Sequence, residues 1–217
     1  MYPQDIRLQN RQNGLEVIGE GTISATPNQA QIIIGVRTED ESVTTAQQQN
    51  AALTTSIINA LLQIGIPKEN IQSNNYQVNP QYRFEENQQI LTGYRVQHEL
   101  KITMNEIELV GEVIDTAVQH GSNVVSSISF MVKQPELYYL EALKKALKNG
   151  VQKGKTIAST FNREIDETPF QVVELTHMPF PQQEKAEFFA QSASTPIQPG
   201  QLQITATVKM RFRFLHY

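Results

Sequence analysis

The stretch from Pro135 to Phe161 constrains this chain more than any other. Leu140, Leu143, Leu147, Val151, Ala158 and Phe161 recur at steps of three and four, the apolar stripe of an amphipathic helix. Pro135 suits the first turn, where its fixed φ helps and its missing N–H costs nothing. A second row, Ala142, Ala146, Gly150, Gly154 and Ala158, runs at strict four-residue spacing and leaves a flat groove along the helix. Each interior glycine costs up to about 1 kcal/mol relative to alanine, so the row predicts a surface packed closely enough to compensate. That surface is either the protein's own sheet or another subunit, and the five residues are candidate oligomer contacts.

Around this helix the pattern alternates between strand and helix periods. Leu15, Val17, Ile23 and Ala25 predict a first strand, with a bulge or close approach at Gly19-Glu20-Gly21. Ala30, Ile32, Ile34 and Val36 predict a second. Residues 42–64 follow as a helix with Ala46, Leu53, Ile57 and Leu61 on one face and the Gln47–Asn50 cluster on a solvated surface, closed by Gly65 and Pro67. Strand three spans about 71–82, with Tyr76, Val78, Pro80 and Tyr82 on one side, and Pro80 assigns it to an edge or a strand end. A polar hairpin over 83–89 leads to strand four, whose residues 90–104 alternate cleanly. Asn105 and Glu108 suggest a capping box for a second helix ending at Gly121. A fifth strand over 124–132, the long helix, a sixth strand over 165–175 and a last strand over 202–214 complete the chain.

Strands two to five and the first two helices read β-α-β-β-α-β, the split arrangement in which both helices cover one face of an antiparallel sheet. The fold class is therefore α+β, with the long helix and a second, smaller antiparallel sheet beside it. Residues 1–14 read as a polar leader and 15–217 as a single domain with a long proline-rich loop over 179–200. Phe180, Phe188 and Phe189 in that loop are costly to leave in water and join the candidate oligomer contacts. Tyr76, Tyr82 and Tyr94 form a candidate ligand or peptide face on the split sheet.

Chemistry is harder to find. A net charge of -4 in 217 residues argues against a nucleic-acid binder, and the basic side of the long helix (Lys144, Lys145, Lys148, Lys153, Lys155) has no interleaved aromatics. No cysteine is present, so disulfides and thiolate sites are excluded. No window is apolar for the length of a membrane span. His98, His120, His177 and His216 lack partners at metal-ligand spacing, the carboxylates of Glu39-Asp40-Glu41 and Glu85-Glu86 read as solvated turns, and two glycines without a third make no phosphate loop. The sequence assigns no catalytic residue, metal or cofactor. Its first residues lack a basic start followed by an apolar run, which predicts a cytoplasmic protein, or a periplasmic or exported one if Met1 replaces a removed signal.

Several segments together resemble the bacterial SIMPL domain (DUF541) family of YggE-like and 26 kDa periplasmic immunogenic protein-like chains. They are Gly19-Glu20-Gly21, the run Tyr76 to Tyr82, Gly93-Tyr94, Gly111 to Asp115 with Gly121-Ser122-Asn123, the small-residue helix, and Thr195 to Gly200 before the last strand. The resemblance covers about Leu15 to Phe214. It implies an α+β domain without catalytic residues to carry over, ring-like or channel-like assembly in periplasmic members, and a link to stress tolerance. The expectation is a non-enzymatic homo-oligomer; the alternative is a small-ligand or peptide binder using the tyrosine face.

Overall fold

A computed structural model describes residues 14–86, 88–175, 182–183 (backbone only) and 197–215. In chain order the elements are β1 (Gly14–Ala25), β2 (Gln29–Asp40), α1 (Val43–Gln63), β3 (Ile71–Glu85), β4 (Gln88–Met104), α2 (Val110–Gln119), β5 (Val124–Met131), α3 (Pro135–Thr160), β6 (Gln171–Glu174), β7 (Gln182–Gln183) and β8 (Leu202–Arg213). The chain divides into two compact units, one built on residues 26–133 and the other on β1, α3 and β8 with their neighbours.

In the first of these units the strand order is β3-β4-β2-β5, and every pairing is antiparallel. This is the split β-α-β-β-α-β arrangement expected from the sequence. Alternation puts Ile32, Ile34 and Val36 of β2 and Leu100, Ile102 and Met104 of β4 on one face, where Ile57 and Leu61 of α1 and Val110 and Val113 of α2 close over them. Each such side chain contributes about 1.5–3 kcal/mol on full burial. α1 starts at Ser42, whose hydroxyl accepts from the Thr45 N–H, and ends at Gly65 with φ +92°. α2 ends likewise at Gly121, where Ser122 N–H reaches the Ala117 carbonyl.

Two expectations fail here. Asn50 is buried and not solvated: its amide donates to the Val36 and Val96 carbonyls at 3.0 and 3.2 Å, and its oxygen accepts from Thr54. The capping box does not form, because residues 107–109 make a 3-10 turn and Asn105 Oδ1 accepts from Gln29 instead.

In the other unit β8 is the central strand, paired antiparallel with β1 and β6, and β7 also pairs with it. The β1–β8 register runs unbroken from Gly14↔Arg213 to Ala25↔Leu202, so the glycines of β1 mark no bulge. β6 is shorter than expected. Ile165 makes only an isolated bridge to Phe214, and Asp166 turns the chain by accepting from the Thr168 N–H. α3 lies over β1 and β8 and ends at Asn162, whose φ of 53° lets Arg163 N–H reach the Ala158 carbonyl. Phe180, Phe188, Phe189, His177 and His216, with most of the proline-rich loop and the leader, lie outside the described residues.

Candidate functional site

The small-residue row is where the α3 unit is packed most tightly. Ala142, Ala146, Gly150, Gly154 and Ala158 are all buried, facing β1 and β8. A Cβ on Gly19 would overlap the Ala146 carbonyl oxygen and stand 2.8 Å from the Gly150 nitrogen; one on Gly21 would overlap the Ala142 carbonyl. From the other side, a Cβ on Gly150 would overlap the Met210 sulfur, and one on Gly154 would meet Ile165 at 3.0 Å and the Phe212 ring at 3.2 Å. Helix and strand backbones therefore touch through glycine on both sides. The row proposed as an intersubunit contact is covered by the chain's own sheet and offers no free surface. The larger stripe moves to the flank: Leu143, Leu147 and Val151 are half-buried, while Leu140 and Phe161 are exposed.

The tyrosine face is a different kind of surface. Directly opposed residues share a face. The pairs Tyr76↔His98, Val78↔Val96 and Pro80↔Tyr94 therefore put both tyrosines on the side that carries the helices. Alternation carries Tyr82 and Phe84 onto the same side, and a shift after Gln81 sets Tyr82 against Leu91. β2 stops pairing with β4 at Asp40↔Tyr94. Beyond that point β3 and β4 form a two-stranded ribbon whose apolar side outruns its helices. Tyr76 marks the border, its hydroxyl accepting from Gln47 of α1. Phe84 is 75% exposed, and Tyr82, Leu91 and Val78 are exposed as well. The structure thus brings the three predicted tyrosines onto one face and adds Val78, Phe84 and Leu91. The even-numbered alternation from 76 to 84 extends to Phe84 in the sequence, where the polar composition of 83–89 masks it.

Reactive groups are few. Ser73 Oγ and His98 Nε2 are 2.8 Å apart, with the His98 ring edge-on to Tyr76 at 5.3 Å between centroids. Partial burial lowers the His98 pKa, which keeps the imidazole neutral near pH 7. A hydroxyl and a neutral imidazole are two members of a nucleophile triad, but no carboxylate hydrogen-bonds this ring among the described residues. His120 bonds the Thr116 carbonyl at the end of α2, a structural role. Asp40 accepts from the Ser42 N–H and Glu39 pairs with Arg95. Among the described residues no group of three or more His, Asp or Glu is placed to hold a metal. Clefts of about 560, 480 and 490 Å³ lie at Lys155–Glu167, beside Arg83 and Thr92, and between Val151 and Pro169. None of the three is walled by Tyr76, Tyr82 or Tyr94.

The family model for SIMPL, described as a protein of unknown function (DUF541), matches residues 15–212. The chain belongs to the SIMPL family. It is 28% identical over 155 residues to the uncharacterized protein YggE of Escherichia coli K12, covering 70% of this chain and 63% of that one. It thus spans just under two thirds of the length of that relative. A 26 kDa periplasmic immunogenic protein of Brucella melitensis is 24% identical over 185 residues, 83% of this chain and 74% of the relative. YggE of Edwardsiella ictaluri is 24% identical over 151 residues. The match spans Gly19 and Gly21 of β1, the whole of α3 and the ribbon. The Brucella relative is named for the periplasm, so the cytoplasmic expectation gains no support from this SIMPL relative. No helix among the described residues is long and apolar enough to cross a membrane.

Proposed function

We propose that this SIMPL chain is a non-enzymatic protein that assembles with copies of itself through the apolar side of the β3–β4 ribbon. The observation that carries the reading is the overrun of that side beyond its helices: Tyr82, Phe84 and Leu91 lie past the last β2 pair and continue the side of Val78, Pro80 and Tyr94, and none of the six is charged. A two-stranded ribbon is marginal in water by itself, so one with exposed aromatics gains most from a covering surface. A second copy supplies that surface with no further component, which agrees with the assembly implied by the family resemblance. Stress tolerance enters only through that resemblance. The open form of the face supports a broad protein contact better than a small ligand, which favours an enclosing pocket.

The test replaces Tyr82 and Phe84 together by glutamate and reads the mass by sedimentation velocity, with Arg83→Glu on the opposite side of the strand as control. The double variant should sediment as a monomer and the control as the parent assembly. Parent mass in both, or a parent that is itself monomeric, refutes the proposal.

A further inference from the structure

Among the described residues β1 is the outermost strand of its sheet, and an edge of this length normally invites another strand to pair with it. Three backbone groups of that edge are already taken, all by one row of α3. Lys153 Nζ donates to the Ile18 carbonyl at 2.9 Å, the Glu20 N–H donates to Asn149 Oδ1 at 3.1 Å, and Lys145 Nζ donates to the Thr22 carbonyl at 3.2 Å. The four-residue spacing puts Lys145, Asn149 and Lys153 along one side of the helix. Ile18, Glu20 and Thr22 are the alternate residues whose backbone groups point away from β8. Four helical residues rise about 6 Å and two strand residues about 6.7 Å, so the two ladders drift slowly out of step. The short Asn149 sits at the middle rung and the long lysines reach the outer two, which absorbs the mismatch. The groove contact at Gly19 and Gly21 brings the helix near enough for all three bonds.

We propose that this row is a plug on the β1 edge. It occupies one donor and two acceptors in the middle of the row that a strand from a second copy would pair with, and so prevents the chain from extending edge to edge. The two lysines add a charge that an incoming strand would have to desolvate. The inference is independent of the ribbon proposal, because the plug belongs to a different strand and a different sheet.

Amide hydrogen exchange on the full chain tests it directly. Asn149→Ala should speed exchange at Glu20 about fivefold to tenfold, while Gly19 and Gly21, whose amides face β8, stay as they were. A triple variant, K145A/N149A/K153A, should then show a mass that climbs with protein concentration beyond the parent species. Unchanged exchange at Glu20 in the single variant overturns the proposal, and so does a folded triple variant with the parent's mass distribution. Should the triple variant not fold, the exchange at Glu20 in Asn149→Ala decides alone.

Discussion

Replacing Gly19 by alanine sets local preference against packing. In a strand interior alanine is favoured over glycine by roughly 0.5–1 kcal/mol on backbone entropy, and propensity alone would make the variant more stable. The structure reverses the sign. The added methyl would overlap the Ala146 carbonyl oxygen, lie 2.8 Å from the Gly150 nitrogen and 3.0 Å from its Cα. These are backbone atoms of one rigid helix, so no rotamer change relieves the overlap. α3 would have to lift by roughly 1 Å to restore ordinary contact, loosening Ala142, Ala146 and Gly150 together. Overpacking of this kind costs about 1–3 kcal/mol, which exceeds the propensity gain. Gly150→Ala makes the contrast, since its methyl meets the side-chain sulfur of Met210, which can turn, and the helix gains up to about 1 kcal/mol. Urea unfolding followed by circular dichroism should give Gly19→Ala a clearly lower midpoint than the parent, and Gly150→Ala a smaller change. A Gly19→Ala protein as stable as the parent would refute backbone-to-backbone packing of α3 on β1.

Other consequences follow from single side chains. Asn50→Ala removes the buried amide from which the Val36 and Val96 carbonyls accept, and should lower unfolding stability by about 1–3 kcal/mol in the same urea assay. His98 has a folded pKa below its ordinary 6.5 because burial disfavours the charged ring. The unfolded chain then binds the proton first, so this contribution is complete above pH 6.5 and declines as the pH falls towards the folded value. His98→Gln should flatten that part of the stability–pH curve, and an NMR titration of His98 should read below 6.5. Burial and the hydrogen bond to Glu174 raise the Tyr139 phenol to about 12. Absorbance titration should therefore lose a step near pH 12 in Tyr139→Phe.

The α+β class and the split sheet were legible because strands and helices announce themselves by period, and because Gly65 and Gly121 stop their helices where a positive φ is needed. The sequence also contained both sides of the α3–β1 contact, the glycines of β1 and the small row of α3. It could not say that the two face each other, since that pairing links residues more than a hundred apart and depends on a sheet closed by β8. Asn50 lies four residues after Ala46 and four before Thr54, on the buried side of α1, but its glutamine neighbours disguised it as surface. The lysines of α3 read as a solvated face; two of them hold the edge of β1, Lys144 pairs with Glu141 and Lys155 with Glu167. The tyrosine face was visible as alternation. Its reach to Phe84 and Leu91 was not, because only the pairing of β2 with β4 shows where the sheet narrows to a ribbon.

Whether the ribbon holds copies of this chain together is read from the solution mass of the unmodified protein by light scattering across a wide concentration range. The expected result is a mass several times 24.5 kDa that persists on dilution. A mass of 24.5 kDa at every concentration would contradict it.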